Sequence, residues 1–165
     1  MDMLQQVPMT FNHVNAGLVA GTTSTYTTTA ATTCSIAGKF ATSLAVQTNT
    51  ASPTTDATTG AAFIALSANQ ATVLVWGVNN AGAIRLAQGQ IVPTETGVGT
   101  TVGAFLSLPQ FPTLLDDFCP IGYQLVRVSP TGASFTPGAT SWAASGITCS
   151  TIRNISTLPG RPQSS

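Results

Sequence analysis

Very few residues in this chain could do chemistry. The single histidine, His13, sits near the N-terminus, and a general base needs a positioned partner that its neighbours in sequence do not supply. Asp116 and Asp117 are adjacent, and adjacent residues on extended chain point to opposite sides, so they form no carboxylate dyad and read as acidic capping of a turn. Gly97, Gly99 and Gly103 imitate a dinucleotide loop, but the third glycine is one residue too far and no helix follows to receive a pyrophosphate. Cys34, Cys119 and Cys149 are odd in number and widely spaced, which predicts buried free thiols and no zinc set with the lone histidine. Asn154-Ile155-Ser156 has the pattern of a glycosylation acceptor, without meaning unless the chain is secreted. No catalytic, cofactor or metal residues are therefore predicted, and the chain reads as a non-enzyme.

The composition that surrounds these residues is unusual. Only 6% of the 165 residues are charged, five basic against five acidic, where a soluble domain carries about a quarter. Lys39, Arg85, Arg127, Arg153 and Arg161 are scattered, which excludes a generic nucleic-acid binder, since that affinity comes from clustered cations on phosphates. The first eight residues have neither a basic flank nor a continuous apolar run, so no secretory signal is expected. The most apolar region, residues 61–78, is interrupted by Ser67, Asn69 and Gln70, so no membrane span is expected either. Hydrophobic residues make up 43% of the chain, the reverse of a disordered composition.

Threonine, alanine, serine, glycine and valine fill the remainder. Threonine is β-branched and suits a half-exposed pleated surface, and no stretch holds a helical apolar period for three turns. The fold class predicted is all-β: one compact β-sandwich or jelly-roll-like barrel at residues 17–156, preceded by an N-terminal arm (1–16) and followed by a Pro-rich coil tail (157–165). A hairpin is expected from residues 22–36 and 40–46 around a Gly38-Lys39 turn, with Phe40, Thr42, Leu44 and Val46 sharing a face. Residues 49–60 read as a long loop. The clearest signal is a strand over 71–78, the turn Asn79-Asn80-Ala81-Gly82 and a strand over 83–88; the first of these is so apolar that it should be central and covered on both faces. A short strand is expected at 104–108, another at 121–128 with Ile121, Tyr123, Leu125 and Arg127 alternating against Gly122, Gln124, Val126 and Val128, a short one near 134–136, and a last at 146–155. Trp76 is read as core or subunit contact, and Trp142 as the exposed aromatic, both candidates for an interface.

Several segments together resemble small virion proteins of tailed bacteriophages: residues 56–63, the strand-turn-strand of 73–89, the run from Pro109-Gln110-Phe111-Pro112 through Asp116-Asp117-Phe118-Cys119-Pro120 to Ile121-Gly122-Tyr123, then Phe135-Thr136-Pro137-Gly138 and Leu158-Pro159-Gly160-Arg161-Pro162. The resemblance implies a structural protein, most like a capsid decoration or cement protein: a homotrimer on the outer surface of the head, made in the host cytoplasm, with the major capsid protein as partner. It brings no active-site residues. The arm would then fasten the domain to the shell through Met3, Leu4, Val7, Met9 and Phe11, by apolar contact and strand addition. A tail or fibre component, or a carbohydrate-binding β-sandwich using Trp76, Trp142, Tyr26 or Tyr123, are the alternatives.

Overall fold

The computed structural model describes residues 9–163. They form twelve strands in three antiparallel sheets, and no helix occurs among the described residues. The all-β class expected of the sequence is the class observed.

The largest sheet is built on two long strands, β7 (Gln70–Asn79) and β10 (Phe118–Val128), paired along their lengths. The short strands β8 (Ile84–Gln88) and β9 (Val92–Pro93) flank β7, and β11 (Ile147–Cys149) and β12 (Arg153–Asn154) flank β10. A second sheet joins β1 (Phe11–Asn12), β4 (Cys34–Ile36) and β5 (Lys39–Phe40), and a third joins β2 (Val19–Ala20), β3 (Thr25–Thr27) and β6 (Thr50–Ala51).

Strand β7 is central and buried on both faces, as its composition required. Leu74, Trp76 and Val78 point into one core with Leu86, Val126, Val128 and, from the two small sheets and their flanks, Leu18, Tyr26, Cys34, Ile36 and Leu44. Val73 and Val75 point to the opposite side, into a smaller core with Ala87, Phe118, Tyr123, Leu125 and Phe111. Loops roof that second core, with Leu114 from the crossing segment and Leu158 from the tail packed against it. The turn between β7 and β8 is the one expected: Asn79 Oδ1 accepts from the N–H groups of Ala81 and Ala83, and Gly82 takes a left-handed φ of 75°.

Three strand expectations are corrected. In β10, Pro120 lacks an N–H, and the ladder answers with a bulge in which Pro120 faces Gly77 and Gly122 faces Trp76, leaving Ile121 as the extra residue. That residue flips the phase, so Ile121 joins the main core with Val126 and Val128 while Tyr123 and Leu125 enter the other. The strand expected at 146–155 is split into β11 and β12, with Ser150 between them bonding Leu125 through backbone and side chain. The expected strand at 104–108 is reduced to a bridge between Phe105 and Thr94.

The expected arm of residues 1–16 overlaps the domain. Thr10, Asn12 and Ala16 are buried, β1 pairs with β4, and the Asn12 N–H donates to the Ser156 carbonyl at 2.9 Å, so residues 10–16 belong to the domain. Met3, Leu4 and Val7 lie outside the described residues. The tail is coil, but it is held: the Gln163 N–H donates to the Tyr123 hydroxyl at 3.3 Å.

Candidate assembly surface

The hairpin β4–β5 turns on Ala37 and Gly38, with left-handed φ values of 50° and 78°, one residue earlier than the expected Gly38-Lys39. Two successive left-handed residues match the right-handed twist of the flanking strands. Ile36 then faces Lys39 and Ser35 faces Phe40. On the other side of β4, Ser35 faces Phe11. Phe11, Ser35 and Phe40 therefore form one row across three strands, on the face opposite to Cys34 and Ile36, which enter the main core.

That row points to solvent. Phe40 is 78% exposed and Phe11 37%. His13, two residues beyond Phe11 and on the same face, lies between them, its ring centroid 4.5 Å from Phe11 and 5.3 Å from Phe40. Its Nε2 is 2.8 Å from Ser35 Oγ, which fixes the imidazole over the strand and covers the serine. Met9, 70% exposed, extends the row over the turn, where a Cβ on Gly38 would stand 3.6 Å from its Sδ and Cε. Phe11, His13 and Phe40 make an exposed aromatic seam, with the exposed Met9 and Lys39 at the adjoining turn, at the point where residues 1–8 join the domain. Single exposed apolar side chains are ordinary on a protein surface; ring contacts running from Phe11 through His13 to an exposed Phe40 are not.

The other singled-out residues are interior or structural. Trp142, expected at the surface, is 6% exposed and donates its Nε1–H to the Thr25 carbonyl at 2.9 Å. It closes an aromatic chain across the main core, Tyr26 to Trp76 at 5.4 Å, Trp76 to Trp142 at 6.0 Å and Trp142 to Phe135 at 5.5 Å. Trp76 is fully buried, so of the two readings made for it the core reading holds, and neither tryptophan is available as an interface aromatic of this domain. Tyr26 and Tyr123 are buried as well.

Asp116 and Asp117 are exposed on the turn before β10. Asp56 is buried, and its carboxylate accepts from the Thr58 N–H, the Thr59 hydroxyl and the Gln88 N–H, which clamps residues 56–59, beyond β6, on the edge of β8. The Gly97–Gly103 segment is a turn, closed by the Thr101 N–H on the Val98 carbonyl at 3.0 Å. Asn154 is committed inside the fold: its Oδ1 accepts from the Leu18 N–H at 2.7 Å and its Nδ2 donates to the Leu18 carbonyl at 3.0 Å. The three thiols are free, Cys34 and Cys119 buried and Cys149 half-buried. The Cys119 thiol is pushed up by its hydrogen bond with Cys34 and by burial, and burial pushes Cys149 up to about 12. Among the described residues no three His, Cys, Asp or Glu side chains gather as a metal set, and no helix is long and apolar enough to cross a membrane.

No family, curated protein or solved structure matches this chain.

Only part of the seam was legible beforehand. The arm reading makes Met9 and Phe11 contact residues, but simple alternation groups Phe40 with Thr42, Leu44 and Val46. Between the pairs Ser35–Phe40 and Thr32–Leu44 the chain advances three residues on one side and four on the other. The extra residue turns Leu44 inward and leaves Phe40 outside. A polar Ser35 two residues before Ala37-Gly38 was the available signal, since it marks the outward face of β4.

Proposed function

We propose that this chain is a structural virion protein of a tailed bacteriophage, a decoration or cement protein that binds the outside of the head and bridges subunits of the major capsid protein. The observation that carries the reading is the exposed seam of Phe11, His13 and Phe40, with Met9 at the adjoining turn, at the root of residues 1–8. A chain with few charges and an exposed aromatic seam suits attachment by burial of apolar area, at roughly 800 Å² per partner for a specific contact. The N-terminal residues Met3, Leu4 and Val7 would continue that contact onto the capsid, by strand addition to an open sheet edge. As a homotrimer, the protein would bring three such contacts together and multiply weak individual affinities through effective concentration.

The burial of Trp76, Trp142, Tyr26 and Tyr123 takes away the aromatic platform on which the carbohydrate-binding alternative rested. The test is addition of the purified protein to empty heads of its own phage, with cryo-electron microscopy of the product. Trimeric density on the outer shell, lost when residues 2–8 are deleted, is the expected result. The deletion must stop at residue 8, because residues 10–16 are part of the fold. Heads that stay bare, or a six-membered ring assembled by the protein alone, would overturn the cement reading.

A further inference from the structure

Two of the five cationic side chains of this chain line one pocket. Arg153 and Arg161 line an open pocket of about 430 Å³ with Leu108, Pro162 and Gln163, and among the described residues no carboxylate lines it. Among the described residues neither guanidinium is held by a hydrogen bond or an ion pair. Arg127 is a useful contrast, since its guanidinium donates to the Gly103 carbonyl at 3.2 Å and lies 5.2 Å above the Phe105 ring.

The two arginines are carried by backbone tied to one residue, Tyr123. Arg153 is its cross-strand partner in the β10–β12 pair, and the Tyr123 hydroxyl accepts the Gln163 N–H two residues past Arg161. Tyr123 is itself buried, edge-on to Phe111 at 5.1 Å. Leu158 anchors the start of the tail on the second core, and Pro159 and Pro162 restrict the backbone on either side of Arg161. The pocket is thus lined by two unengaged arginines on tethered backbone, with Gln163 and the exposed Leu108 completing its wall.

We propose that Arg153 and Arg161 form an oxyanion-binding site that takes a single phosphate or carboxylate group. A guanidinium matches either anion through paired N–H donors, and two of them around one anion add charge-assisted bonds with no opposing acid among the described residues. The site is separate from the aromatic seam and stands whether or not the chain coats a capsid.

The experiment follows the arginine Nε–Hε resonances of the intact protein while sodium phosphate or glutarate is added, with sodium chloride holding the ionic strength constant. The Arg153 and Arg161 signals should move saturably, with half-saturation in the millimolar range, while those of Arg85 and Arg127 stay in place. Saturation by phosphate alone, by glutarate alone or by both supports the site and identifies its anion. Arg161→Gln alters an exposed side chain, so the backbone amide spectrum should be unchanged while the affinity falls at least tenfold; Arg153→Gln should do the same, and Arg161→Gln decides the matter if Arg153→Gln does not fold. Shifts that are linear and alike for all four arginines, or an Arg161→Gln protein that titrates like the parent, would overturn the proposal.

Discussion

The large sheet and the β1–β4–β5 sheet are made from the same restricted set of residues, yet they stand in opposite relations to solvent. Along β7 both faces are closed, one by the small sheets and one by the crossing segment and tail. In the small sheet one face enters the core through Cys34 and Ile36, and the other displays Phe11 and Phe40 around His13. Nothing in the described domain covers that second face. On the proposed reading, stability and attachment fall to different parts of the molecule, and substitutions should separate them.

The largest effect belongs to the core. Trp76→Ala removes the middle of the Tyr26–Trp76–Trp142–Phe135 chain and should cost about 3–5 kcal/mol in urea unfolding. A cost below about 1 kcal/mol would mean that the two long strands do not carry the fold. Gly77→Ala comes next, at about 1–3 kcal/mol by overpacking, because a Cβ there would run into the Phe118 ring and the Cys119 carbonyl oxygen.

A smaller effect concerns pH. Burial raises the Cys149 thiol to about 12 in the folded chain, above its unfolded value near 8.5, so the folded state keeps a proton that the unfolded state releases. Stability from this group is whole below about pH 8.5 and falls as pH rises toward 12, by at most about 1.4 kcal/mol per unit. The Cys149→Ala protein should show a shallower alkaline decline in urea midpoint; an identical decline would assign the effect elsewhere. The smallest change in stability is expected at the seam. Phe40→Ser should alter unfolding by no more than about 0.5 kcal/mol, since the ring is exposed, and yet weaken attachment to heads. A strongly destabilised Phe40→Ser protein would show that the seam is part of the core after all.

The sequence revealed the parts whose signal is local. The apolar run of β7 followed by Asn79-Asn80-Ala81-Gly82 could be read directly, because strand composition and turn chemistry agree within a dozen residues. The bulge at Pro120 and the register change before Leu44 could not, although each decides which side chains face outward, since one inserted residue reverses a strand's faces without any mark in composition. Trp142 was misplaced for a related reason: it lies between Ser141 and Ala143 with no alternation around it, and it is buried by the Thr25 carbonyl and two distant rings. Residues 10–16 looked like an arm because their polarity is mixed, whereas Thr10 and Asn12 are polar side chains buried within the domain and beside β4.

The most direct test of attachment through an apolar seam is co-sedimentation of the protein with empty heads from low to molar sodium chloride, with the Phe11→Ser/Phe40→Ser protein alongside. Burial of apolar surface is not screened by salt, so the bound fraction of the parent protein should stay constant across the series while the double variant remains in the supernatant. Release of the parent protein at moderate salt, or full binding by the double variant, would contradict the account.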